Sequence, residues 1–174
     1  MKGVCFVAGV YGVGKSTLCN EVSSATHIPY YSAGDLISQK NGEQYGKDKK
    51  VKDAVNNQQL LAEAVASLLE KNDRLLLAGH FCILSQENKV ERLPVFVYRE
   101  LSIKQIILLE LDAGMIVMNL RKRDGKDYPE SLMKTFLGEE RGIAKSIASD
   151  LSVPLDIIKL NYSDDLQRMV KLVH

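Results

Sequence analysis

Gly9-Val10-Tyr11-Gly12-Val13-Gly14-Lys15-Ser16, followed by Thr17, decides how the rest of the chain is read. It fits the pattern G-x-x-x-x-G-K-[ST] at every position. Glycines at this spacing let successive backbone N–H groups turn inward around phosphate oxygens, Lys15 brings a cation to the outer phosphates, and the Ser16 hydroxyl is placed to ligate Mg²⁺. The flanks suit a loop of this kind. Val4–Ala8 reads as a buried strand and Ser16–Ala25 as a helix, whose N-terminus adds partial positive charge beneath the bound anion.

Outward from that loop, strand-like runs alternate with helix-like ones. This argues for an α/β domain with a mainly parallel sheet. The expected strands are Gly3–Ala8, Ile28–Tyr31, Arg74–Ala78, Gln105–Leu111 and Leu155–Leu160. Three of them contain continuous apolar runs, as strands covered on both faces do. Ligands of such sheets bind beyond the C-terminal strand ends. The expected helices are Asp53–Lys71, Val95–Leu101, Ala113–Arg123, a long one opened by Pro129 and reaching about Ser149, and Tyr162–Val173 capped by Ser163 or Asp164. Lys40–Lys52 is polar and Lys-rich. It reads either as a solvated surface or as one wall of a site for an anionic substrate.

With 174 residues and a net charge of +1, the chain suits one domain. The balance gives no basic field directed at nucleic acid or an anionic membrane. No apolar run approaches a membrane span, no secretory leader is expected, and no apolar stripe sets an oligomeric state. Cys5, Cys19 and Cys82 lack metal or redox spacing and read as reduced thiols of a cytoplasmic protein. There is no Asn-Lys-x-Asp guanine-reading motif. The cations Arg121, Lys122, Arg123 and Lys126 lie in a stretch bounded by Gly125 and Pro129. They read as a mobile cationic segment suited to phosphoryl transfer, or as compensation of a helix dipole.

The layout resembles nucleoside monophosphate kinases, and most of all the archaeal-type adenylate kinases and their small ATP-binding relatives. Besides the phosphate loop, Tyr31-Ser32-Ala33-Gly34-Asp35-Leu36 is similar to the family's Ser-Thr-Gly-Asp-Leu turn. Gln58–Leu69 resembles the helix closing the acceptor subdomain, and Arg121–Asp127 matches the position of an Arg-rich lid. Leu155–Asn161 is similar to the last strand and its adenine-touching exit loop. The resemblance implies a three-layer P-loop kinase fold: a five-stranded parallel sheet with helices on both faces and a short lid. It implies one domain, residues 1–174, with an acceptor-binding helical insertion at 34–71 and a lid at 121–129. ATP and Mg²⁺ would be the cofactors. Gly9, Val10, Tyr11, Gly12, Val13, Gly14, Lys15, Ser16, Thr17 and Asn161 would hold the nucleotide. Ser16 would ligate Mg²⁺, with Asp35 reaching it directly or through water. Lys15, Arg121, Arg123 and Asp35 would serve catalysis, and Arg141 would offer a further cation. His80 lies at a strand end, where it would orient a phosphate or act structurally.

Two positions depart from that pattern. Ser38 stands where the family places an arginine on the monophosphate, and Ala78 where it often places an Asp that helps organise Mg²⁺. Monophosphate binding would then fall to Lys47, Lys49, Lys50 or Lys52, point charges rather than bidentate forks. The expected activity is ATP-dependent transfer of the γ-phosphoryl group to a nucleoside monophosphate or a similar small phosphate-bearing acceptor. The alternatives are a switch or slow ATPase acting on a protein or RNA partner, and a kinase for a hydroxyl acceptor with Asp35 as base.

Overall fold

The computed structural model describes residues 2–41 and 54–174. The reading of Lys47, Lys49, Lys50 and Lys52 as substrate cations lies outside the described residues. The elements in chain order are β1 (Gly3–Ala8), α1 (Lys15–Thr26), β2 (Tyr30–Ser32), α2 (Ala33–Asn41), α3 (Ala54–Lys71), β3 (Arg74–Gly79), β4 (Cys82–Leu84), β5 (Val90–Arg92), α4 (Phe96–Glu100), β6 (Ile103–Glu110), α5 (Ala113–Asp124), α6 (Glu130–Leu151), β7 (Leu155–Lys159) and α7 (Asp165–Val173).

Five strands form one parallel sheet in the order β2-β3-β1-β6-β7. The apolar runs explain the order. β1 is buried along its whole length, and so are Leu75–Gly79 of β3 and Ile106–Glu110 of β6. These three strands occupy the centre, where both faces are covered. The outer strands β2 and β7 are shorter and only partly buried. Right-handed crossovers set the layers. The step from β1 to β2 runs opposite to the later steps, so α1 takes one face, where α7 packs against it, while α3 and α6 lie against β3 and β6–β7 on the other. This is the three-layer α/β fold expected from the sequence.

The differences are local. β2 begins at Tyr30, because Ile28 and Pro29 are still closing the turn after α1, where His27 is left-handed and donates its N–H to Ser23. The polar stretch after Cys82 forms an antiparallel hairpin, β4–β5, pairing Cys82 with Arg92 and Leu84 with Val90. Its tip turns at Asn88, in the left-handed region. Each strand of the hairpin has three residues, too short a run for hydrophobic alternation to register. α7 starts at Asp165 and not Tyr162. Asp164 holds the cap position without a side-chain cap bond, and the Asp165 carboxylate accepts from the N–H groups of Asn161 and Tyr162 instead. No described helix is long and apolar enough to cross a membrane.

Beside the central strand lies an aromatic cluster. Phe81, fully buried, meets Phe6 at a ring-centroid distance of 5.2 Å and Tyr98 at 4.9 Å. Phe81→Ala empties this junction between β1, the turn after β3, and α4. We expect it to cost about 3–5 kcal/mol of stability, measured by urea unfolding. A loss under 1 kcal/mol would show that the cluster is not part of the core.

Candidate functional site: a phosphate loop opening onto an apolar cavity

β1 ends at Ala8 in the middle of the sheet, and the loop from Gly9 to Gly14 leads directly into α1. Gly12 and Gly14 have φ values of +78° and +103°. Side chains are strained in that region, so glycine is required for the chain to turn its amides inward. Beyond conformation, a Cβ on Gly12 would stand 2.9 Å from Leu120. The loop is held from outside as well: the Asn119 amide of α5 donates to the Gly12 carbonyl at 2.9 Å.

Lys15 opens α1 and is buried, with 9% of its surface exposed. Its ammonium donates to the Gly9 and Val10 carbonyls at 2.6 and 3.1 Å. A buried carboxylate, Glu140 of α6, adds an attractive field. Glu140 is 1% exposed and accepts from the N–H of Phe81 at 3.0 Å and of Cys82 at 2.8 Å. From the other side the Tyr98 hydroxyl donates to the His80 carbonyl at 2.7 Å. The turn after β3 is thus pinned on both flanks. It holds the His80 ring against Tyr11 of the phosphate loop, with centroids 4.4 Å apart. Burial pushes the Glu140 carboxyl up, and the backbone donors and Lys15 oppose that rise.

The loop forms one end of a cavity of about 780 Å³, within the roughly 300–1,000 Å³ usual for ligand sites. The donor end is bordered by residues 11–18, Asn119, Arg123, and Leu160, Tyr162 and Ser163 of the loop after β7. The other end is walled by Ser32, Ala33, Ile37, Leu61, Ile83, Leu93 and Tyr98, with Asn57, Gln58 and His80 among them. Ala78 lies in this wall, so no carboxylate stands there.

The structure sorts the residues expected from the sequence. Tyr11, Gly12, Val13, Gly14, Lys15, Ser16 and Thr17 border the cavity, as do His80 and Arg123. Gly9 and Val10 face Lys15 through their carbonyls. Arg123 is held by Asp124 at 2.7 Å. Arg121 is not in the cavity wall. It is exposed and pairs with Asp127 at 2.5 Å across the turn at Gly125. Asp35 is exposed and also outside the wall, and Ser38 donates to Gly34 within its own helix. Arg141 makes a two-pronged pair with Glu110 and is not in the wall. Asn161 lies outside the wall too. Its amide group is engaged within its own turn, accepting from Ser163 and donating to Asp164. Tyr162, 63% exposed and left-handed at φ +61°, borders the cavity in its place.

Sequence reading missed Glu140, Asn119 and Gln58. Their common signal is a polar residue on an apolar helical stripe. Glu140 interrupts Met133, Phe136, Ile143 and Ile147, Asn119 sits beside Ile116 and Leu120, and Gln58 precedes Leu61 and Val65.

A parallel sheet with a phosphate loop beyond its central strand defines the class: a P-loop protein with the fold shared by small kinases. The chain belongs to the AAA domain family AAA_17, whose pattern it matches over residues 8–136. The adenylate kinase of Thermoplasma acidophilum is 24% identical over 150 residues, covering 84% of this chain and 81% of that one. Two solved structures share the fold. A shikimate kinase from Bacteroides thetaiotaomicron is 15% identical with a TM-score of 0.61, covering 98% of both chains. A sugar kinase from Janibacter sp. is 19% identical with a TM-score of 0.63, covering 99% of this chain and 95% of the other.

Two outcomes follow. Glu140→Gln keeps the shape but turns an amide N–H₂ toward backbone donors, so we expect a loss of about 1–3 kcal/mol in urea unfolding. An unchanged stability would contradict the pinned turn. The thiols of Cys5, Cys19 and Cys82 are pushed up to about 12, chiefly by burial. At pH 8 they remain protonated, so iodoacetamide should modify the native protein far more slowly than the urea-unfolded chain.

Proposed function

We propose that the protein is an ATP-dependent phosphotransferase that moves the γ-phosphoryl group to a small acceptor, foremost a nucleoside monophosphate. One observation carries this reading. A single cavity has phosphate-loop amides and Lys15 at one end and a walled pocket between α2, α3 and the β3 edge at the other. A switch or plain ATPase needs the first end only.

At the donor end, loop N–H groups and the α1 N-terminus bind the β- and γ-phosphates. Lys15 exchanges its carbonyl partners for phosphate oxygens. Tyr162 offers an exposed ring to the nucleotide base, a role Asn161 supports by shaping the turn. Arg123 leaves Asp124 and neutralises charge building on the transferred group. No general base is required when the acceptor is a phosphate oxygen, since it is already anionic. His80 orients the acceptor beside the loop.

The residues fit Mg²⁺ brought in with the nucleotide. Ser16 offers one hydroxyl at the cavity, and no cluster of three metal-binding side chains occurs among the described residues. Mg²⁺ commonly takes one or two protein oxygens plus phosphates and waters. When bound, it supplies neutralisation of phosphate charge. Asp35, outside the wall, has no part in this reading. Three free cysteines support a cytoplasmic setting.

Transfer to a hydroxyl acceptor is the second reading. It is favoured by the shared fold of the shikimate and sugar kinases and by the cations of the wall. Among the described residues, Lys15 and Arg123 alone supply positive charge there.

ADP formation from Mg·ATP, measured with a panel of nucleoside monophosphates and of hydroxyl acceptors, tests the choice. We expect turnover stimulated by a monophosphate. Slow hydrolysis that no acceptor accelerates would refute phosphotransfer. Arg123→Ala should lower stimulated turnover by about 10²-fold, whereas Arg121→Ala should change it less than about threefold, because its partner is Asp127. Equal losses would place both arginines in the transfer site.

A further inference from the structure

Gln58 stands apart from the other polar groups bordering the cavity. The residue as a whole is 8% exposed. Among the described residues it makes no hydrogen bond, yet it borders the cavity. An amide carries two donors and two acceptor sites, and leaving them unmatched in an apolar setting costs stability. The setting is apolar: Leu61 follows one helical turn on, and Ile37, Ile83 and Leu93 belong to the same wall. An amide retained on the core stripe of α3, bordering the cavity and without a hydrogen bond among the described residues, serves a ligand better than it serves the fold.

The chemistry of the surroundings limits what that ligand is. A sugar or sugar acid presents hydroxyls in all directions and needs many polar partners or cations. Ile37, Leu61, Ile83 and Leu93 give this end aliphatic walls, and among the described residues the charged side chains lining the whole cavity are Lys15, Glu21, Arg123 and Asp165. A flat heterocycle has the reverse demand. Its faces want apolar contact, and its edge wants a donor and an acceptor side by side. A glutamine amide meets such an edge with two bonds, as it does with adenine. Because the amide can rotate by half a turn, it accepts either order of donor and acceptor.

We propose that Gln58 is the specificity-determining residue of the acceptor site, reading the edge of a nucleobase that lies among Ile37, Leu61 and Leu93. The proposal rests on the phosphotransferase reading and adds what the acceptor carries behind its phosphate or hydroxyl. It sets this chain apart from the sugar kinase whose fold it shares.

The test is calorimetric binding, with the donor end filled by Mg²⁺ and a non-hydrolysable ATP analogue. The probes are AMP, CMP, GMP, UMP, purine riboside 5′-monophosphate (which lacks the amino group of AMP), ribose 5-phosphate and gluconate. At least one of the four monophosphates should bind, and ribose 5-phosphate and gluconate at least about tenfold more weakly. Gln58→Leu should weaken the best base-bearing probe by about tenfold or more. If AMP is that probe, the variant should also lose the wild-type preference for AMP over purine riboside 5′-monophosphate. Without ligand, Gln58→Leu should melt at or above the wild-type temperature, since it replaces an amide that makes no protein hydrogen bond among the described residues with an apolar side chain; a structural amide would give the opposite shift. Binding of ribose 5-phosphate or gluconate as tight as the best monophosphate overturns the proposal. So does unchanged monophosphate affinity in Gln58→Leu, or failure of all four monophosphates while the ATP analogue binds. Failure of the ATP analogue to bind the wild-type protein instead overturns the phosphotransferase reading itself.

Discussion

A lysine ammonium buried at the end of the central strand sets the terms for everything around it. Charge withdrawn from water must be met by partners. Lys15 finds the carbonyls of Gly9 and Val10 at 2.6 and 3.1 Å, with the field of Glu140 behind them. Those carbonyls can reach it because glycines at positions 12 and 14 take left-handed turns and double the chain back. The same curl suits the loop's N–H groups to an anion in the reading proposed above. In that phosphotransferase reading, such a fixed arrangement would receive phosphate without the cost of rearranging, as preorganised sites do.

Around that charge the fold supplies rigidity from three directions. Asn119 ties the loop to α5, Glu140 ties α6 to the turn after β3, and Tyr98 ties α4 to the same turn. Each bond links elements far apart in sequence, and each lies beside buried aliphatic or aromatic side chains that exclude water from it. His80 and Tyr11 face one another as a consequence. The cations of residues 121–126 form no such frame. Arg121 and Arg123 are exposed and paired with nearby aspartates, bonds of small worth in water that can be exchanged for phosphate.

Much of this was legible in the sequence. The phosphate loop matches its pattern at every position, and the apolar runs at Val4–Ala8, Leu75–Ala78 and Ile106–Leu109 identify the three central strands. Those are properties of contiguous residues. What escaped reading depends on contacts between distant residues. Glu140 is an acidic residue among many until α6 packs it under Phe81, and Gln58 is a surface-type residue until folding buries it at the edge of the cavity. The hairpin β4–β5 hides in polar sequence because its strands are three residues long. Asp35, Arg121, Arg141 and Asn161 lie outside the cavity wall in this structure: Asp35 is exposed, Arg121 and Arg141 pair with Asp127 and Glu110, and Asn161 is engaged within its own turn. Only folding reveals that a charged side chain is already engaged.

The central claim is that the Gly9–Ser16 loop and Lys15 bind the phosphates of a nucleotide. Calorimetric titration of the wild-type protein with Mg·ATP and with adenosine, repeated for Lys15→Met, tests it most directly. The account predicts that ATP binds at least about 10²-fold more tightly than adenosine, and that Lys15→Met removes most of that difference while the far-ultraviolet circular dichroism is retained. Equal affinity for ATP and adenosine in the wild-type protein would contradict it.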